Sequence, residues 1–165
     1  MPLKPAVTDL EELKEYPAVA CLLGGLSGAL QAAKFDRDEL TIWVDPIQLL
    51  PALNLLRTSA TTSFTVLADL TAVDWFPSEP RFEVVYSLLS YKRRERLRVK
   101  VKISGADPYI GSVTGIWPGA APFECEVFDL FGIRFQGHPD LRRILLPDDW
   151  KGHPLRKDYP VEGYR

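Results

Sequence analysis

The chain has 165 residues, with 20 Lys and Arg against 22 Asp and Glu, and only two cysteines, Cys21 and Cys125. That length suits one domain, or one domain with a long terminal extension, and is enough to bury a core. A net charge of −2 does not by itself call for a polyanionic partner. Two cysteines are too few for a disulfide framework, a tetrahedral zinc site or a four-cysteine iron–sulfur cluster, and a reduced cytoplasmic home is the simpler reading.

In chain order, the uncharged run 17–33 comes first and contains Gly24-x-x-x-Gly28. As a membrane span it is diluted by three glycines, Ser27 and Gln31, and the acidic stretch before it is the wrong flank for a signal peptide. It reads instead as a buried amphipathic helix with Val19, Leu22, Leu23, Leu26 and Leu30 on one face. Residues 39–45 alternate with period two, placing Leu40, Ile42 and Val44 on one face of a strand. Asp45-Pro46-Ile-Gln48 then has the carboxylate cap and early proline of a helix start. Leu49, Leu53 and Leu56 follow at helical spacing, while Pro51 predicts a kink or a late start.

Residues 63–72 and 82–91 read as strands joined across Pro77-Ser-Glu-Pro80, a connection that suits an antiparallel hairpin. In a third strand, 95–103, Leu97, Val99, Val101 and Ile103 alternate with Arg96, Arg98, Lys100 and Lys102, so one face is apolar and the other basic. Pro118-Gly-Ala-Ala-Pro122 opens a short helix that runs through Phe131 and stops at Gly132. The remainder is rich in Pro, Gly, Asp and Arg and has little periodicity. The pattern predicts an α+β fold, a mostly antiparallel sheet with helices packed on one face, over residues 1–131, followed by an extended C-terminal segment, 132–165.

His138, Asp140, His153 and Asp158 are residue types that metal and acid–base sites use. They sit in irregular chain, with no H-x-x-x-H or H-E-x-x-H face to bring two ligands together, and the two Gly-His-Pro sequences read equally well as ordered turns. Cys125 lies between Glu124 and Glu126, whose charges oppose thiolate formation, so it reads as a buried, inert thiol. Glu126 and Asp129 share one side of their helix, and Arg142 and Arg143 follow; these arginines are expected to turn back onto the helix carboxylates. The basic run 91–102 fits docking on an acidic protein surface, a solvated face, or a nucleic-acid-binding module using the Arg96 to Lys102 face.

Three stretches are recognisable: Glu124-x-Glu126-x-x-Asp129-Leu-Phe-Gly-Ile133, Phe135-x-Gly-His-Pro-Asp-Leu-Arg-Arg-Ile-Leu145 and Gly152-His-Pro-Leu-Arg-Lys-Asp-Tyr-Pro160. Together they closely resemble the signature of the 30-kilodalton (C-type) subunit of respiratory complex I, the proton-translocating NADH–quinone oxidoreductase. The segments 67–74, 81–90 and 117–120 resemble the same family. One departure is Cys125, where the family commonly carries arginine. Relative to that family the chain is a short form, without a large C-terminal extension.

The resemblance implies a cofactor-free structural subunit of the peripheral arm, packed against the quinone-site (D-type) subunit and near subunits B and I. FMN and iron–sulfur clusters would sit on other subunits. Membrane association would come only through the complex, on the cytoplasmic side of the cell membrane or the matrix side of an organelle. Glu124, Glu126, Asp129, His138, Asp140, Arg142, Arg143, His153, Arg156, Lys157 and Asp158 are then docking or structural residues, with no catalytic, cofactor or metal role. The nearest alternative is the equivalent subunit of a ferredoxin-fed dehydrogenase or an energy-converting hydrogenase.

Overall fold

A computed structural model describes residues 5–164. Residues 1–4 and 165, the outermost ends of the two segments expected from the sequence, lie outside the described residues. Five strands form one sheet: β1 (Leu30–Asp36), β2 (Glu39–Val44), β3 (Val66–Asp74), β4 (Phe82–Ser90) and β5 (Glu95–Ile103), in the order β1-β2-β5-β4-β3. The fold is α+β and the sheet mostly antiparallel, as the sequence pattern indicates. The exception is the central pair, where β2 runs parallel to β5 with Ile42 opposite Val99.

The run 17–33 is not one helix. After a short α1 (Leu10–Leu13), α2 covers Pro17–Gly25 and ends at Leu26 in extended backbone. Two consecutive glycines weaken its last turn, and Gly28 at φ 79° turns the chain into β1. Strands β1 and β2 meet in a tight antiparallel hairpin whose turn residues, Arg37 and Asp38, both have positive φ. Asn-Gly would announce such a turn and Arg-Asp does not, so nothing in the residue types separates β1 from the helix before it. Among the described residues no helix is long and apolar enough to cross a membrane.

Asp45 caps the next element through Oδ1, which accepts from the Ile47 amide at 2.9 Å. A 3₁₀ turn (Pro46–Gln48) precedes α3 (Leu49–Thr58), so the helix starts late and Pro51 falls in its first turn, where a missing N–H breaks no intrahelical bond. Leu49, Leu53 and Leu56 are buried. Along β5, Leu97, Val99, Val101 and Ile103 are buried while Arg96 and Lys102 are exposed, the expected alternation. A second 3₁₀ turn (Pro118–Ala120) leads into α4 (Ala121–Phe131). Two three-residue strands, β6 (Tyr109–Gly111) and β7 (Arg134–Gln136), pair in parallel; they are too short for any sequence period to reveal.

The chain divides into two compact units, and β3, β4 and β5 each run from one into the other. The first comprises residues up to 68 and 86–101, with Val19, Leu22, Ile42, Leu53, Leu56 and Phe64 in its core. The second comprises 69–85 and the chain from 102 onward, with Phe82, Val84, Val113, Val127, Ile133 and Phe135 buried. The three recognisable stretches all belong to the second unit.

Candidate docking site at the end of helix α4

An α-helix leaves its last four carbonyls without intrahelical partners, and those of α4 would be costly to bury bare. Each finds a donor. The Phe128 carbonyl accepts from Gly132 N at 2.8 Å, that of Asp129 from His153 Nδ1 at 2.8 Å, that of Leu130 from Leu155 N at 3.1 Å and that of Phe131 from Arg156 Nε at 2.6 Å. The Gly152-His-Pro-Leu-Arg sequence is therefore the C-terminal cap of a helix that ended some twenty residues earlier in the chain. The Arg156 charge also suits the negative end of the helix dipole. His153 donates through Nδ1 and is neutral: burial lowers its pKa, with Arg156 and Arg143 adding to the effect against the Asp129 carbonyl.

Gly132 makes this cap possible. Its φ of 72° is the left-handed geometry that ends α4, and a Cβ there would stand 2.5 Å from His153 Nε2 and 2.6 Å from Arg156 Nη2.

One turn earlier, the fully buried carboxylate of Asp129 gathers four donors. Oδ1 accepts from Arg143 Nη1 at 2.8 Å, and Oδ2 accepts from the consecutive amides of Ile144, Leu145 and Leu146 at 3.0, 2.8 and 2.9 Å. Burial pushes this carboxyl upward, but the three amides and the guanidinium outweigh it, and the pKa lies below the ordinary value. Arg143 also donates to the Gly152 carbonyl at 3.1 Å, joining the two loops.

A second clamp holds the far end of the segment. Arg81 forks onto Asp74, Nε to Oδ1 at 2.9 Å and Nη2 to Oδ2 at 2.7 Å, and onto Asp158 through Nη1 at 2.9 Å and Nη2 at 2.6 Å. Asp74 also accepts from the Phe76 and Lys157 amides. Burial raises the Asp74 carboxyl, Arg81 and the two amides more than reverse this, and the Arg81 pKa is raised by Asp74 and then Asp158. The guanidinium carbon lies over the rings of both Phe76 and Phe82, 4.9 Å from each ring centre.

The other buried carboxylate of α4 behaves differently. Glu124 accepts from Ser112 Oγ and from Val113 N, both at 2.6 Å, and has no arginine beside it. Burial raises its pKa, with Ser112, Val113 and His138 only partly opposing this. His138 Nδ1 accepts from Asp140 N at 3.0 Å, so Nε2 carries the proton; it points to the Ala121 carbonyl at 3.2 Å and lies 3.8 Å from Cys125 Sγ and 4.0 Å from Glu124 Oε2.

Arg143 thus turns back onto the helix as the sequence suggests, but Arg142 does not: its Nε pairs with Asp140 at 3.0 Å on the surface. Glu126 is exposed on the outer side of α4, and Lys157 uses only its backbone amide in the clamp. Asp74, Arg81 and Ser112 belong to the site without standing out in the sequence. Asp74 carries a usable signal, being an acid in phase with the inward-facing Leu70 and Ala72 of β3, a position that demands a cation.

The segment also exposes large apolar side chains among charged ones such as Asp148, Asp149 and Lys151. Ile144, Leu145, Trp150, Leu155 and Tyr164 are exposed, although Ile144 and Leu145 have their amides fixed to Asp129. Among the described residues no group of three or more His, Cys, Asp or Glu could hold a metal ion. Clamps and caps thus fix the backbone of an extended segment in a chain of α+β fold, with Ile144, Leu145, Trp150, Leu155 and Tyr164 left exposed.

Residues 42–165 match the family described as respiratory-chain NADH dehydrogenase, 30 Kd subunit, and the chain belongs to that family. It is 47% identical over 140 residues to the C-type subunit of the NADH-quinone oxidoreductase of Roseiflexus sp. (strain RS-1), covering 85% of this chain and 80% of that protein. Its fold is similar to Nqo5 in a trypsin-resistant fragment, with a TM-score of 0.55 and 28% identity over 81% of this chain and 100% of that one. It is also similar to a chain of the membrane-bound sulfane sulfur reductase, an archaeal respiratory membrane complex, with a TM-score of 0.73 and 26% identity over 92% and 85% of the two chains.

Proposed function

We propose that this chain is the 30-kilodalton subunit of an NADH–quinone oxidoreductase, a non-catalytic component of its peripheral arm. In this role it supports electron transfer from NADH to quinone, coupled to proton translocation, without holding a redox centre; FMN and iron–sulfur clusters belong to neighbouring subunits. Residues 132–165 dock on the quinone-site (D-type) subunit, near subunits B and I, and the chain reaches the membrane only through the assembly, on its cytoplasmic or matrix side. Glu124, Asp129, His138, Arg143, His153, Arg156 and Asp158 hold the segment in shape, whereas Glu126, Asp140, Arg142 and the Lys157 side chain are offered to the partner.

The observation that carries this reading is the combination at Ile144 and Leu145: backbone fixed by Asp129, side chains exposed. The amide bonds stabilise the fold through Asp129, and exposed apolar side chains on so fixed a backbone suit a docking surface, because rigidity lowers the entropy lost on binding. Affinity purification of the chain from its native membrane tests it. Iron–sulfur proteins, a D-like subunit and NADH–quinone activity should be recovered together, and recovery of the chain alone would contradict the reading.

The likeness to a sulfane sulfur reductase chain supports a second reading, the equivalent subunit of a related membrane-bound assembly with another electron donor. The same preparation separates the two: an assembly that contains the D-like subunit but does not oxidise NADH favours the second.

A further inference from the structure

We propose that the turn between β4 and β5, with the outward face of β5, forms a second docking surface that takes an acidic segment of a partner protein. It belongs to the first compact unit and uses none of the residues of the α4 clamp. Tyr91, Lys92, Arg93 and Arg94 form the turn, all exposed, and Tyr91 is 73% exposed. Arg93 is spent on Glu95 through two bonds of 2.9 Å, and Arg98 on Glu39. Lys92, Arg94 and Arg96 make no salt bridge among the described residues, so three exposed cations stand uncompensated within one strand turn. Arg94 is held at φ 57°, where Gly or Asn would sit at lower cost.

Arg96 also lines two clefts, of about 270 and 340 Å³. Ser87 and Leu89 help line the first, and Tyr16, Phe35 and Phe64 the second. Unpaired cations beside clefts that are partly apolar suit a peptide that sets carboxylates against Lys92, Arg94 and Arg96 and an apolar side chain in a cleft. They suit nucleic acid less well. Single strands need successive stacking platforms, and on this face Tyr91 is the ring that stands clear, since Lys100 lies over Trp43 at 5.5 Å.

The source of the partner rests on the reading of the chain as part of a respiratory assembly, so the test is made on the assembly purified from its native membrane. Zero-length carbodiimide coupling joins an amine to a carboxylate in direct contact. Lys92 should be coupled to an Asp or Glu of another polypeptide, and retention of that polypeptide should fall about tenfold in the Arg94→Glu, Arg96→Glu double variant. Circular dichroism of the isolated variant should be unchanged, because both side chains are exposed. A Lys92 that reacts with an amine reagent as readily in the assembly as in the isolated chain would overturn this inference alone, whereas a chain recovered without any assembly would overturn the proposed function too. Binding of a short single-stranded RNA to the isolated chain, steeply weakened by salt and lost in the double variant, would assign the face to nucleic acid and also overturn it.

Discussion

Arg81 donates to both carboxylate oxygens of Asp158, at 2.9 and 2.6 Å, and so ties the base of a β-hairpin to a residue near the end of the chain. The two halves of this clamp differ in burial: Asp74 is enclosed, whereas the Asp158 side chain is 44% exposed. Arg81→Ala should cost roughly 3–5 kcal/mol, because it leaves the buried Asp74 carboxylate without its cation. Asp158→Asn should cost about 0.5–1 kcal/mol, as expected for a partly exposed pair. Urea denaturation measures both, and a cost for Arg81→Ala no larger than for Asp158→Asn would rule out the buried half as the stronger anchor.

Gly132→Ala should cost about 1–3 kcal/mol, combining the positive φ with displacement of His153 and Arg156. The loss should be local first. Limited proteolysis should cut within 152–160 in the variant well before the sheet unfolds, with no such preference in the parent chain.

Asp129 and Glu124 lie on one helix yet should respond to pH in opposite directions. The Asp129 pKa is lowered on folding, so its contribution is full above the unfolded value of about 3.8 and is lost as pH falls through the folded one. The Glu124 pKa is raised, so its contribution is full below the unfolded value of about 4.5 and is lost as pH rises through the folded one. Asp129→Asn should therefore destabilise at neutral pH, by about 3 kcal/mol, and progressively less in acid. Glu124→Gln, which can accept from Val113 and donate to Ser112, should be at least as stable as the parent at neutral pH and lose that advantage in acid. Denaturation midpoints across pH would show this, and parallel slopes for the two variants would refute it.

Leu145→Asp and Arg142→Ala should change the stability of the isolated chain by no more than about 0.5 kcal/mol, since both side chains are exposed. Leu145→Asp should nevertheless abolish recovery of the chain with its assembly. Arg143→Ala is the control: it should weaken both folding and assembly, because it unpairs Asp129.

The elements with long, regular patterns are legible in the sequence. Strand β5 is readable from its apolar and basic alternation, α3 from Asp45 and its leucines, and the end of α4 from Gly132. What escapes is set by geometry without a compositional trace. β1 precedes a turn made by Arg37 and Asp38, and β6 and β7 are three residues each. At the site, the return of an arginine to the helix is foreseeable from charge, but that Arg143 goes inward and Arg142 outward depends on which one faces Asp129 after the loop, and no residue type records that. The roles of His153 and Arg156 as caps depend on carbonyls, which every residue has.

Hydroxyl-radical footprinting of the isolated chain and of the purified assembly tests the docking of the C-terminal segment most directly. Oxidation of Leu145, Trp150 and Tyr164, exposed in the free chain, should fall severalfold in the assembly, while Ile47, exposed outside residues 132–165, serves as reference. Equal oxidation of Leu145, Trp150 and Tyr164 in the two samples would contradict the account.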